Sequence, residues 1–144
     1  MQLTRQSEYA IRALLELAAA PEGVVIKCRT IAEKHGMPEK FLNKTVQVLV
    51  RAGLVRTRRG MQGGIRLAVP PETITMADVI DIIEGRIVLN PCLGDNYSCK
   101  NITSCLMHGI LQRTQDAMVA ELSKETFADL AREEAKAKIL GIIN

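Results

Sequence analysis

Three of the four cysteines in this 144-residue chain, and one of its two histidines, fall between residues 90 and 110. Six residues separate Cys92 from Cys99, five separate Cys99 from Cys105, and His108 lies three beyond Cys105. Thiolate sulfur and imidazole nitrogen are ligands for zinc and iron, and a helix starting near residue 104 places Cys105 and His108 on one face. Structural zinc accepts three Cys and one His, but it usually draws two ligands from a short C-x(2–4)-C turn, which is absent here. An iron–sulfur cluster is larger, tolerates wider spacing and accepts His for Cys in some centres, so the spacing favours a 2Fe-2S or 4Fe-4S cluster over zinc. Gly94, Asp95, Asn96, Tyr97 and Ser98 give the first span the flexibility that wrapping a bulky group needs. Bare redox-sensing thiols, or plain reduced cysteines, are the alternatives. Cys28, between Lys27 and Arg29, reads as a small, partly buried residue rather than an activated thiol.

The elements that must carry this set are mostly helical. Apolar residues make up 47% of the chain, enough for a core without staples. No apolar run is long enough to span a bilayer, and MQLTRQSEYAIRALLELAAA is a charged amphipathic pattern rather than a signal peptide. The expected compartment is therefore the cytoplasm, with no membrane partner and with thiols kept reduced. Residues 5–19 have helical spacing, with Arg5, Glu8, Arg12 and Glu16 opposite the apolar face. A short helix is expected to start at the Thr30–Glu33 capping-box pattern, and His35-Gly36-Met37 is a turn. Pro38 suits the first position of a longer helix in which Phe41, Leu42, Thr45, Val48, Leu49 and Ala52 form the apolar stripe, and Gly53 ends it. Thr75 and Asp78 cap a further helix ending near Gly85. A long helix spans about 104–122, and Thr126 with Asp129 starts a final one.

Between these elements, LVRTRRGMQGGIRLAVP predicts a β-hairpin around a glycine-rich turn. Short helix, tight turn, longer helix and hairpin in that order outline a winged helix-turn-helix. Lys40, Asn43, Lys44, Gln47 and Arg51 share the outer face of the longer helix, where a major groove would meet base-pairing and phosphate-pairing side chains. Arg56, Arg58 and Arg59 flank Gly60, Gln62, Gly63 and Gly64, and small residues there let an arginine enter a minor groove. Arg5, at the start of the first helix, joins this candidate DNA-binding set. Double-stranded DNA is the expected partner. A formal net charge of +3 is too small to argue this alone, and two Phe, two Tyr and no Trp disfavour a single-strand reader. No Ser/His/Asp set, phosphate loop or suitably placed carboxylate pair is present, so an enzyme is not expected.

The run PEKFLNKTVQVLVRAGLVRTRRGMQGGIRLAVPPETITMADVI, with LTRQSEYAIRALLELA before it, resembles the IscR/NsrR/CymR-type winged-helix regulators of bacteria, the Rrf-two superfamily. The likeness covers nearly the whole chain and is closest to the iron–sulfur-binding IscR-like branch. It implies a mainly α fold with a small β-hairpin: a winged helix-turn-helix domain over 1–84, a cysteine-bearing cofactor loop over 85–105, and a dimerisation helix with a C-terminal helix over 106–144. It also implies a homodimer on pseudo-palindromic promoter sites, with an affinity tuned by a cluster that senses iron, redox or nitric oxide status. Carried across, Cys92, Cys99 and Cys105 are the cluster ligands, with His108 where the IscR-like branch places its fourth. Glu8 rivals His108, because other branches offer an acidic residue from the first helix. This chain departs from the family pattern in its first cysteine gap, in Asn43 where Glu can stand, and in Ile65 where Tyr is frequent. Two other functions compete: an iron–sulfur electron-transfer protein, and a cluster-free regulator acting through a partner protein or thiol oxidation.

Overall fold

The computed structural model describes residues 2–95 and 97–143. Helix α1, Arg5–Ala19, begins at Thr4, whose hydroxyl accepts the Ser7 N–H, and it buries Ala10, Ala13, Leu14 and Leu17 along one face. Ile26 then forms an antiparallel bridge with Ile65, each backbone N–H donating to the other's carbonyl at 2.9 and 2.8 Å. Helix α2, Cys28–Lys34, follows without a break.

The Thr30 capping box is a correction. The helix starts three residues earlier, from Lys27 as its N-cap, and has no side-chain cap, because the Ile26 bridge fixes where the extended chain must stop. Glu33 is taken up instead by Arg29, 2.7 Å away one turn earlier.

Gly36 turns the chain at φ +61°, and α3, Glu39–Arg51, starts from Pro38 as its cap. Leu54 N–H reaches Leu49 O and Gly53 N–H reaches Val50 O, both at 3.0 Å, with Gly53 at φ +79°. This paired closure satisfies the last carbonyls of α3. The buried face of α3 is Leu42, Thr45, Val46 and Leu49. Phe41, expected in that stripe, is instead exposed, because it sits at the seam between the core face and the basic face.

Strands β1, Val55–Arg58, and β2, Gly64–Leu67, pair antiparallel in the register Val55↔Leu67 to Arg58↔Gly64. After a 3-10 turn at Pro71–Thr73 come α4, Met76–Glu84, a second 3-10 turn at Pro91–Leu93, α5, Leu106–Leu122, and α6, Phe127–Ile139. The other two expected caps form as capping boxes, Thr75 with Asp78 and Thr126 with Asp129. The two caps also lie side by side: Thr75 bridges Thr126, and Phe127 N–H donates to Ile74 O at 2.8 Å.

That junction folds the C-terminus back onto the winged domain. α6 packs along α1, and fully buried Phe127 joins Leu14, Leu42, Ile74 and Val79 in one core. The 106–144 segment therefore divides in space. α6 belongs to the core, whereas α5 buries only Gln115, has α4 and the second 3-10 turn as its main neighbours, and leaves Leu106, Met107 and Ile110 exposed. Among the described residues no helix is long and apolar enough to cross a membrane.

Candidate nucleic-acid face and thiol loop

Since α3 turns Leu42, Thr45, Val46 and Leu49 inward, its 3.6-residue period leaves Lys40, Asn43, Lys44, Gln47 and Arg51 outward, and all five are exposed. A shallow hollow along this face is lined by Glu39, Lys40, Asn43, Lys44 and Gln47. On the hairpin, Arg56, Arg58, Arg59, Gly60 and Gln62 are exposed, with Gly63 and Gly64 partly so.

The glycines are geometric requirements. Gly60 turns at φ +107°, which disfavours any side chain. A Cβ on Gly63 would stand 2.3 Å from Arg58 O, and one on Gly64 would stand 2.3 Å from Ile26 O. The tip can therefore close, and the Ile26 bridge can form, only without side chains there.

Arg5, also exposed, lines a second hollow between the start of α1 and α3. Among the described residues, none of Arg5, Lys40, Lys44, Arg51, Arg56, Arg58 and Arg59 is in an ion pair. Seven uncompensated cations on the α3–hairpin side are free to meet phosphates.

Behind this face, Glu16 on α1 holds the turn that precedes α3. Its carboxylate accepts from Lys34 Nζ, with a nearest oxygen at 2.6 Å, and from His35 Nε2 at 2.8 Å. Burial pushes the Glu16 carboxyl up, but the hydrogen bonds from Lys34 and His35 outweigh it, leaving the group below the usual carboxylate range. At the other end of α1, Glu84 from α4 accepts the Thr4 N–H at 2.9 Å and the Ser7 hydroxyl.

The thiols lie beyond the winged segment, between α4 and α5. Cys92 sits in the 3-10 turn, half-buried, and accepts a hydrogen bond from Asn90 Nδ2 at 3.1 Å. Cys99 is half-buried between turns, and Cys105 is the exposed N-cap of α5. His108 lies in the first turn of that helix, its N–H donating to Cys105 O at 3.2 Å. Its side-chain Nδ1 is buried and has no hydrogen-bond partner.

The cysteines are free thiols. Among the described residues no three His, Cys, Asp or Glu stand together as a metal site, so Cys92, Cys99, Cys105 and His108 are near in sequence but not gathered, and exposed Glu8 joins no such group. Asn96 lies outside the described residues. Cys28 is half-buried, and burial first, then nearby Glu39, pushes its thiol up, the opposite of an activated nucleophile.

The residue that anchors the loop carries no signal in the sequence. Gln115, the one buried residue of α5, accepts the Leu89 N–H through Oε1 at 3.0 Å. It thereby ties the segment leading into Cys92 to the middle of the long helix. A glutamine inside a helical pattern reads as a solvent-facing residue, and only its burial betrays the role.

The iron-dependent transcriptional regulator family Rrf2 has a model that matches residues 3–133. The chain belongs to the Rrf2 family. Protein aau3 of Rhizobium meliloti (strain 1021) is 35% identical over 141 residues, covering 97% of this chain and 91% of its own. Among solved structures, CymR (YrzC), the global cysteine regulator of B. subtilis, is similar at a TM-score of 0.75 and 28% identity, over 92% of this chain and 98% of that one. T. potens IscR is similar at a TM-score of 0.73 and 26% identity, over 95% of this chain and 90% of that one. The mainly helical winged fold of these Rrf2 structures is the fold described above, and Rrf2 proteins are transcriptional regulators.

Proposed function

We propose that this Rrf2 protein binds pseudo-palindromic promoter DNA as a homodimer, and that an iron–sulfur cluster in the 85–105 loop sets its affinity. The observation that carries the DNA half is the run of unpaired cations on α3 and the hairpin, presented beside glycines that admit close backbone approach. Lys40, Asn43 and Gln47 meet base edges, Arg5, Lys44 and Arg51 hold phosphates, and Arg58 or Arg59 enters the minor groove. The exposed Leu106, Met107 and Ile110 on α5 suit burial against the same helix of a second copy.

For the cofactor half, the donor chemistry fits. Three free thiols accompany an imidazole whose buried Nδ1 has no partner, and an unsatisfied buried nitrogen costs about 1–3 kcal/mol unless something takes it up. Cys92, Cys99 and Cys105 would hold a 2Fe-2S or 4Fe-4S cluster with His108 as fourth ligand, and Glu8 is its rival. When bound, such a cluster supplies bonds that fix the three thiolates relative to one another and can be lost or oxidised as a signal. The residues here do the rest. Asn90 holds the Cys92 sulfur, and Gln115 fixes the Leu89 backbone to α5, so ordering of the loop is passed to the helix that sets the spacing of two reading heads.

Anaerobic purification followed by visible absorption, iron and sulfide assays, and DNA binding by the loaded and stripped protein tests this reading. Equal affinity of the two forms would sink the sensor, since a switch is only as strong as its differential affinity.

The ungathered donors favour a second reading, a cluster-free regulator working through thiol oxidation or a partner protein, with zinc as the lesser metal alternative. It predicts no iron or sulfide after anaerobic reconstitution, with DNA binding intact.

A further inference from the structure

Phe41 occupies an unexpected place. It is 59% exposed on α3, whose neighbouring outward residues are Lys40 and Lys44. The Lys44 ammonium lies 5.8 Å from the centroid of its ring. The ring and Lys44 together wall a hollow of about 410 Å³ with Arg5 and Tyr9 of α1 and Pro38. A large aromatic side chain held open among uncompensated cations gains little from water. The cations also rule out an apolar protein surface as a good cover, because burying them unpaired is costly.

The surface that satisfies both is a major groove. Phosphates at its rims pair the cations, and the C5-methyl of thymine is the one apolar group on its floor, where a phenylalanine can meet it. We propose that Phe41 reads thymine methyl groups, making it a specificity-determining residue in addition to the polar side chains of α3. The inference rests on the DNA-binding reading above. Within it, Lys44 has two tasks: its charge faces the phosphates, and its position over the ring fixes the plane Phe41 presents.

The discriminating reagent is duplex DNA in which deoxyuridine replaces thymidine, since this removes the methyl and leaves base pairing unchanged. Binding sites are selected by the wild-type protein from a random duplex pool, and the winning site is then remade with deoxyuridine at each T in turn. The wild type is expected to lose roughly three- to fivefold in affinity for each contacted thymine, the worth of one buried methyl. Phe41→Ala is expected to bind the thymidine and deoxyuridine sites equally and to stop selecting T at that position. Phe41→Leu, which keeps an apolar tip, should keep part of the discrimination. Because the ring is exposed, both variants should melt with the wild type.

Equal binding of both duplexes by the wild type, or unchanged discrimination in Phe41→Ala, overturns the proposal while the DNA-binding reading stands. A change of oligomeric mass in Phe41→Ala without DNA would overturn it too, by placing the ring in a protein interface. Failure of the wild type to select any site overturns both.

Discussion

α3 with its hairpin and the outer surface of α6 are both rich in cations, and they dispose of them in opposite ways. On α6 and the turn before it, Lys124 pairs with Glu121, Arg132 with Asp129, Lys136 with Glu133 and Lys138 with Glu134, each three or four residues away along the chain. Spacing of that kind neutralises a helix locally and supports it in water. On α3 and the hairpin no such partner is supplied, although Glu39 stands at the head of the helix. Pairing the cations of α6 while leaving those of α3 and the hairpin bare keeps the latter surface for an external anion. Net charge hides this distinction, because +3 is summed over the whole chain.

The sharpest way to break the comparison is to remove cations from each side. Lys44→Ala with Arg59→Ala should lower DNA affinity on the order of a hundredfold and shrink the slope of log affinity against log salt by about 0.9 for each phosphate no longer neutralised. The cofactor content should not change. Arg132→Ala with Lys136→Ala, which removes the same charge from α6, should leave both affinity and slope where they were. Fluorescence anisotropy across a salt series reads both outcomes, and an equal loss from the two double variants would mean that only bulk charge matters.

A smaller effect is expected at the anchor between loop and long helix. Gln115→Leu keeps the volume and removes the acceptor for Leu89 N–H, at a cost of about 1–3 kcal/mol in unfolding free energy. Its distinctive consequence is local. Exchange of the Leu89 amide should accelerate, and the difference in DNA affinity between loaded and stripped protein should shrink while the stripped protein binds as before. Unchanged exchange at Leu89 would show that the 3-10 turn, through buried Leu93, holds the segment without Gln115.

These two surfaces also differ in how far they were legible in the sequence. The basic face of α3, the hairpin and the capping boxes at Thr75 and Thr126 follow from local rules, so pattern alone located them. Phe41 escaped because a helical wheel assigns a seam residue to whichever stripe it borders, and only the position of α1 decides. Thr30 was misplaced as a cap because a long-range bridge, Ile26 to Ile65, sets where α2 begins. The return of α6 to α1 was equally hidden: its capping box was visible, but the pairing of Thr75 with Thr126 that directs it was not. The thiol loop is the extreme case. Its candidate donors are close in sequence, yet no element enforces their convergence among the described residues, so spacing offered candidate ligands without bringing them together.

The smallest expected effect concerns acid, and it separates pairing that positions from pairing that merely neutralises. Glu16 is a partly buried carboxylate that ties Lys34 and His35, at the end of α2, to α1, whereas Glu133, paired on α6, is exposed. Its folded-state carboxyl titrates below the ordinary value of 4.5, because the Lys34 and His35 hydrogen bonds outweigh burial. A depressed folded value means that the unfolded chain takes up the proton first, so this contribution to stability is fully present above about pH 4.5 and fades as pH falls through the folded value. Glu16→Gln should therefore narrow the stability gap between pH 7 and pH 4 measured by urea unfolding, whereas Glu133→Gln should leave it alone. DNA affinity at neutral pH should fall modestly for Glu16→Gln, because the turn that aims α3 loses its anchor without losing a cation. If both glutamine variants behave alike, Glu16 only neutralises charge, and the orientation of α3 comes from the core packing of Leu42, Val46 and Leu49 by themselves.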